Sequence, residues 1–488
     1  MMLRLAFRLS AVAAAALLIT ACGRPASADV LFYELPGTNL QIVLQGTAGI
    51  NPGGGAITFQ HAKFGKIYFS TGDSRIQKVP TLHSQFSRVL GRSGKDADKC
   101  MEAAYWALRR GMLPQFYEAV DRALAANPQH PRAVLIKKLK AQMDAPIGDS
   151  SAQVEEMRKL VKRRDMKVQQ SKHFILMHDT PDKPVSGKKT RADERLELLE
   201  TVYESFLLRF YAYGVELEIP RERLKVLLFN EHSQYRIFAD RLSPSLSSAS
   251  GFWSSGNNTA VFFDHGTNEE FKQLKEIADS LQKTKAELLR DRGPATAEIR
   301  RLADTLSLLV EIEREDSDIE VVSHEITHQM AGNTGLLPRH VQVPRWVHEG
   351  LATYFETPNG ATWGGVGAVN NSRLKLYRVL APDREHSNVD FIVGDQIFDF
   401  AASHGAVVHG YSQAWGLTHF LMEKHFDKFL SFYRLLGEMP PDLPLSPDNL
   451  NQIFDKAFAG TSRSEIDAEW HAYMDTLKTD IELILEND

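Results

Sequence analysis

Hydrophobic and polar positions change rhythm several times along the chain. Between residues 29 and 92 the apolar positions fall in short β-branched and aromatic runs. These are Leu40–Gln41–Ile42–Val43–Leu44, Ala56–Ile57–Thr58–Phe59 and Lys66–Ile67–Tyr68–Phe69–Ser70, separated by clusters such as Asn51–Pro52–Gly53–Gly54–Gly55. The pattern predicts a β-rich module over residues 29–95, a small sheet or barrel with no chemistry of its own. From residue 96 the rhythm is helical. A first helix is expected over 103–110, a break at Gly111, and a second helix from Phe116 to the Asn127–Pro128 turn.

That helical module, residues 96–148, resembles a single tetratricopeptide repeat, with small residues at packing positions and Asn-Pro at the turn. One repeat cannot form a solenoid, so an ordinary helical connector and a peptide-binding module both stay open. Residues 150–488 then read as one larger domain. A charged helix over 150–168 leads to a strand over 172–177. A long amphipathic helix follows over 191–213, a buried-type strand over 224–229 and a helix over 233–242. A hairpin is expected from Gly251–Phe252–Trp253 and Thr259–Ala260–Val261–Phe262–Phe263. Strands alternating with helices in this way indicate an α+β fold. Phe271, Leu274, Ile277, Leu281 and Leu288, then Ile299, Leu302, Leu306, Leu309 and Ile312, predict a helical hairpin over 268–315 that breaks at Gly293–Pro294. The hairpin is expected as an insertion that packs; a lid or docking arm is the alternative. Pro440, Pro441 and Pro444 mark a loop before two last helices, over 450–459 and 465–485.

A chain of 488 residues is long enough for two to four domains. The formal net charge is -5 and no long basic run exists, so nucleic acid is not an expected partner. The N-terminus has the form of an export signal. Arg4 and Arg8 precede an apolar run over residues 9–19 that is too short for a permanent membrane span. It ends in Ile19–Thr20–Ala21–Cys22, which resembles the lipobox of bacterial lipoproteins. The resemblance implies a lipid-modified Cys22, an anchor in the cell envelope facing the periplasm and, since Gly23 follows the Cys, the outer membrane. Cleavage after Ala26–Ser27–Ala28 is the alternative. With Cys22 lipidated, Cys100 has no partner for an intrachain disulfide.

Candidate chemistry centres on Ser323–His324–Glu325–Ile326–Thr327–His328–Gln329. Side chains four apart share a helix face, so His324 and His328 can grip one metal ion, and Glu325 can reach a water on it. Ser317-x-x-Glu320 is the pattern of a capping box that starts this helix, and Gly332 suits its end. Ile319, Val322, Ile326 and Met330 form one apolar stripe, with the two His on the opposite side of the wheel. A second helix is expected from Pro344 through Arg345–Trp346–Val347–His348–Glu349–Gly350–Leu351–Ala352–Thr353–Tyr354–Phe355–Glu356, and Glu349 is a third ligand candidate. Gly350 allows a close approach of backbones, and His348 is expected to point away as a surface residue.

With these two helices the chain resembles the gluzincin metallopeptidases, the thermolysin-like group, and within it the bacterial peptidase-MA-like branch. The resemblance extends from about Lys172 to the C-terminus. It implies a thermolysin-like zincin domain in which His324, His328 and Glu349 hold Zn2+ and Glu325 is the general base acting on peptide or protein substrates. It also implies an oxyanion donor on a later helix, matched by His409–Gly410–Tyr411–Ser412–Gln413–Ala414–Trp415. Tyr411 is the choice, with His409 and His419 behind it; packing at a helix start is its alternative role. The hairpin over 252–263 corresponds in chain order to the edge strand on which gluzincins lay out peptides. The chain departs from the family in two places. Thr353 stands where some gluzincins carry a carboxylate that orients a zinc-bound His. Nothing matches the Gly-x-Met-Glu-Asn element of the related aminopeptidases. Two other functions stay open: a zinc-binding, catalytically weak scaffold of the envelope, and a structural lipoprotein without metal.

Overall fold

The computed structural model describes residues 27–479 apart from 35–40, 51–55, 62–63, 71, 73, 186–188, 289–293, 340, 359–360 and 441–444, together with 482–483 and 486. The apolar leader with Cys22, the glycine turn after Pro52, Gly293, Pro441 and Pro444 lie outside the described residues. None of the described helices is long and apolar enough to cross a membrane. The chain divides into two compact units, Met1–Gly94 and Lys95–Asp488.

In the first unit, β1 (Ser27–Glu34), β2 (Gln41–Ile50), β3 (Ala56–His61), β4 (Gly65–Ser70) and β5 (Ser74–Pro80) form an antiparallel sheet in the order β4-β3-β2-β1-β5. The helix α1 (Leu82–Ser93) follows. The sequence pattern missed β1, β5 and α1. Strand β1 holds an acidic residue, Asp29, whose carboxylate is buried and accepts the backbone N–H of Ala48 at 2.6 Å. β5 alternates half-buried and exposed positions and carries two basic residues.

The second unit is α+β. Its first helices are α2 (Ala97–Leu108), α3 (Leu113–Ala126), α4 (Pro131–Met143) and α5 (Ser151–Val161). Then come β6 (Lys167–Gln170), β7 (Phe174–His178), α6 (Arg191–Tyr211), β8 (Leu224–Phe229), α7 (His232–Leu242), β9 (Phe252–Ser254) and β10 (Thr259–Phe263). The sheet order is β6-β7-β8-β10-β9. β7, β8 and β10 run parallel, and β6 and β9 close the two edges antiparallel. The central strands are almost wholly buried and mostly apolar, with His178, Lys225 and Thr259 as their polar residues. Ile175, Met177, Leu227, Phe229, Val261 and Phe263 face a core shared with Met157 of α5 and Tyr235 and Phe238 of α7. The helices α2–α4, read from sequence as a module of their own, belong to this unit. Tyr105 of α2 donates to the Ala212 carbonyl at 2.7 Å, and Tyr117 of α3 donates to Glu204 of α6.

After the sheet come α8 (Glu269–Glu287) and α9 (Pro294–Asn333). The remaining helices are α10 (Arg345–Phe355), α11 (Asn371–Leu380), α12 (Val389–Val393), α13 (Ile397–Ser403), α14 (Val407–Lys424), α15 (Phe426–Gly437), α16 (Pro447–Ala457) and α17 (Arg463–Thr476). Here the structure differs from the sequence reading. The two arms expected over 268–315 are α8 and the first half of α9, but the second arm does not end before the helix of His324 and His328: the two are one continuous helix of 40 residues. That is about 60 Å at 1.5 Å per residue. Ser317-x-x-Glu320 therefore starts nothing. Residues 295–316 hold no Gly or Pro and are rich in strong helix formers, so the chain has no reason to break before Ser317.

The middle of α9 is fixed by buried charge. Asp318 is 2 % exposed and lies 3.0 Å from Arg195 Nη2 of α6 and 2.7 Å from His265 Nδ1, just after β10. Arg191 of α6 reaches Glu315 at 3.0 Å. Burial pushes the Asp318 carboxyl up, but Arg195, His265 and Arg191 outweigh it and hold it far below the usual carboxylate range. Towards its C-terminus α9 is tied to the β9–β10 turn. Gln329 donates to the carbonyls of Lys225 and Asn258 at 3.2 Å, and Asn333 donates to Asn258 Oδ1 at 2.8 Å. Asn258 has φ 48°, a left-handed position that Asn tolerates better than most residues.

Removing the Asp318 charge leaves two buried guanidinium groups without it. Asp318→Asn is expected to destabilise the protein by about 3–5 kcal/mol in urea denaturation at neutral pH. Because the folded pKa lies below the unfolded one, this stability is present above the unfolded carboxylate's value and is lost as the pH falls.

Candidate metal centre

Ile319, Val322, Ile326 and Met330 are all buried, so one stripe of α9 is given to the core. The other face carries His324 and His328 towards α10. Two contacts set the position of α10. A Cβ on Gly350 would come within 2.2 Å of Thr418 Oγ1 and 2.8 Å of the Ala414 carbonyl, so its bare backbone is what lets α10 lie against α14. Tyr354 accepts from Arg209 Nε of α6 at 2.9 Å and donates to Glu423 of α14 at 2.7 Å.

Glu349 of α10 then meets the two imidazoles. Its Oε2 lies 3.0 Å from His324 Nε2 and 3.6 Å from His328 Nε2, and the two Nε2 atoms are 3.0 Å apart. Among the described residues this is the one group of His, Cys, Asp and Glu side chains whose ligand atoms converge closely enough to hold a metal ion. The donor set fits a cation. Glu349 Oε2 is buried and makes no hydrogen bond among the described residues. Burial pushes the Glu349 carboxyl up, yet His328 and His324 hold it well below the usual range. Burial also pushes the His324 imidazole down, and Glu356 and Glu349 outweigh that and raise it well above the ordinary value. The meeting point of the three side chains thus favours positive charge.

Thr353 does not replace the missing carboxylate. It is fully buried and its hydroxyl donates to the carbonyls of Glu349 and Gly350 at 2.8 and 3.0 Å. The carboxylate beside His324 is Glu356 instead. Its Oε1 pairs with His324 Nδ1, leaving Nε2 to face the other ligands. Its Oε2 accepts from Arg373 Nη2 at 2.8 Å and Nε at 3.1 Å, and Arg373 also reaches Glu320 at 2.9 Å. Asn370 caps α11 and donates to the Glu356 carbonyl at 2.8 Å, which places Arg373. Glu320 is pushed up to about 7 by burial and by Glu356, against the pull of Arg373.

Glu325 is largely buried beside the triad. Burial raises its pKa, Glu349 adds to the rise, and His324, His328 and the backbone N–H of Trp253 on the edge strand β9 oppose it. Tyr411 stands at the first turn of α14 with its ring 6.2 Å from that of His324 and 5.5 Å from the Arg373 guanidinium. Its hydroxyl has no hydrogen-bond partner among the described residues, and burial with the nearby carboxylates raises its pKa. His419 is not at the site as a free donor. It is buried, its Nε2 and Nδ1 are engaged by the Gly367 carbonyl at 3.1 Å and Tyr473 at 3.0 Å, and burial lowers its pKa to about 3. His409 is half-buried, and its Nδ1 makes no hydrogen bond among the described residues. His348, expected on another face, stacks on His328 with ring centroids 4.4 Å apart. Burial and His328 lower its pKa to about 3.

Reading the sequence thus missed Glu356, Arg373 and the position of His348. Glu356 stands seven residues beyond Glu349 but is already outside α10, in extended backbone at φ -74°, ψ 92°. Helical spacing could not reveal which way it turns. Residues 318–442 match a family described as a protein of unknown function, DUF1570. That stretch contains His324, Glu325, His328, Glu349, Glu356, Arg373 and Tyr411. No curated protein and no solved structure matches the chain.

If Glu356 orients His324, Glu356→Gln weakens metal binding by about 10–100-fold. Titration of the purified protein with Zn2+ against a competing chelator measures this; an unchanged affinity would refute the role.

Proposed function

We propose that the protein is a zinc-dependent peptidase of the gluzincin type, with His324, His328 and Glu349 holding Zn2+. The observation that carries the reading is Glu325. A site that merely stabilises a fold needs its ligands and a group such as Glu356 that orients them, but no further buried carboxylate beside them that holds none of them in place. Bound Zn2+ would supply Lewis acidity and lower the pKa of a bound water from about 16 to about 7.

The chain's own residues account for the remaining roles. Glu325, raised by burial, takes the proton of the attacking water and returns it to the leaving amine. Tyr411 offers an uncommitted hydroxyl to the oxygen of the tetrahedral intermediate; its raised pKa keeps the proton on that hydroxyl. Glu356 and Arg373 fix His324. The edge strand β9, next to Glu325, supports a substrate lying extended against the sheet, where backbone pairing recognises peptides with little dependence on sequence. A thermolysin-like arrangement is part of the proposal, supported by the β9–β10 hairpin beside the metal helix. On the sequence pattern alone, the proposal also includes export and anchoring through Cys22.

Zinc content and hydrolysis of an unstructured protein, measured for wild type and Glu325→Gln, test the reading together. Zinc is expected to stay near one equivalent in both, while Glu325→Gln loses about 10²–10⁴-fold in rate. A wild type that binds zinc yet cleaves nothing across broad peptide libraries would favour an envelope scaffold. Tyr411→Phe is expected to lower kcat by about 10²-fold with zinc affinity unchanged, in the same assay.

A further inference from the structure

The two histidine ligands are held in different ways. His324 has a carboxylate on Nδ1, backed by Arg373. A metal-binding His ordinarily has such a partner on its second nitrogen. His328 has none among the described residues, since its hydrogen-bonding contacts are all at Nε2. What His328 has is a ring face. His348 of α10 lies parallel to it, with centroids 4.4 Å apart and planes inclined by 22°. Trp253 of β9 lies beyond His348 at 6.3 Å and 16°. The outer spacing falls in the range of offset-stacked rings and the inner one lies at its short edge.

The outer end of this column is fixed. Trp253 Nε1 donates to Asn258 Oδ1 at 3.2 Å, and Asn258 is itself joined to Asn333 of α9. The indole also lies across Gly332, one helical turn beyond His328. A Cβ there would meet the ring at 2.6 Å. Gly332 is thus the residue that lets the edge strand's Trp253 reach the metal helix. Three rings from α9, α10 and β9 are stacked in sequence, and the side chain of the middle one, His348, makes no hydrogen bond among the described residues that would explain its place.

We infer that His348 and Trp253 are positioning residues for His328: the stack fixes the plane of its ring and so aims Nε2 at the position shared with His324 and Glu349. The inference rests on the metal-site reading above. It assigns His348 a role through its ring face, neither as a ligand nor as a proton carrier. It also ties the geometry of one metal ligand to the edge strand on which substrate is proposed to lie.

Zn2+ affinity by chelator competition, with the visible absorption of bound Co2+ as a reporter of ligand geometry, tests it on wild type, His348→Ala, His348→Phe and Trp253→Ala. His348→Ala is expected to weaken zinc by about tenfold or more and to alter the cobalt bands. His348→Phe, which keeps a flat ring and no nitrogen, should return to within about threefold of wild type with the cobalt spectrum restored. Trp253→Ala should give a smaller loss, about threefold. An unchanged affinity and spectrum in His348→Ala would overturn the inference and leave the peptidase reading standing. A loss that Phe does not rescue would overturn it too, because a nitrogen would then be what matters. If His348→Ala does not fold, His348→Phe and Trp253→Ala decide by the same readouts. A wild type without bound metal overturns the metal-site reading itself, and this inference with it.

Discussion

Two imidazoles and a carboxylate, mostly withdrawn from water on one face of α9, are the constraint to which the surrounding structure answers. Such a group is costly to bury unless every charge has a partner. The partners here come from three helices and one strand. Glu349 arrives from α10, Arg373 from α11, Tyr411 from α14 and Trp253 from β9, and Glu356 leaves the end of α10 to close the ring around His324. Tyr354 fixes α10 to α6 and α14, Tyr377 joins α11 to His471, and Gln413 of α14 accepts from Ser387, so the site draws on much of the second unit.

The 40-residue helix α9 makes that assembly possible. Its apolar stripe lies in the core, its midpoint is locked by Asp318 to Arg195 and His265, and its end is bonded through Gln329 and Asn333 to the β9–β10 turn. A helix held at three points cannot rotate to relieve strain. His324 and His328 therefore keep one direction, and the supports around them differ because their surroundings differ. The side towards α11 offers charge, through Glu356 and Arg373. The side towards β9 offers aromatic surface, through His348 and Trp253. The two arrangements perform one task, which is to limit rotation of an imidazole about its χ angles.

Much of the fold and of the candidate metal site was legible in the chain. The apolar runs of β7, β8 and β10, the stripe Ile319–Val322–Ile326–Met330 and the His324–His328 spacing all rest on local periodicity, and Glu349 was found because its helix carries its own start signal at Pro344. Strands β1 and β5 were not legible, since each carries charged residues in positions that read as loop. The Ser317–Glu320 pattern misled because a capping motif acts only where a helix begins, and nothing upstream of it ends one. His419 misled because its role depends on Gly367 and Tyr473, which are distant in sequence.

Local sequence therefore decided which residue types stand on which helix face: two imidazoles four apart, an acid between them, and a carboxylate on the following helix. It did so because a helix has one repeat, and that repeat is written in the order of residues. Tertiary structure alone decided the supports. Glu356 takes up the role that Thr353 lacks because α10 stops at Phe355 and the backbone turns, and His348 meets His328 because Gly332 and Gly350 let β9 and α14 come close. Those are matters of where separate elements pack, and no spacing within one element encodes them.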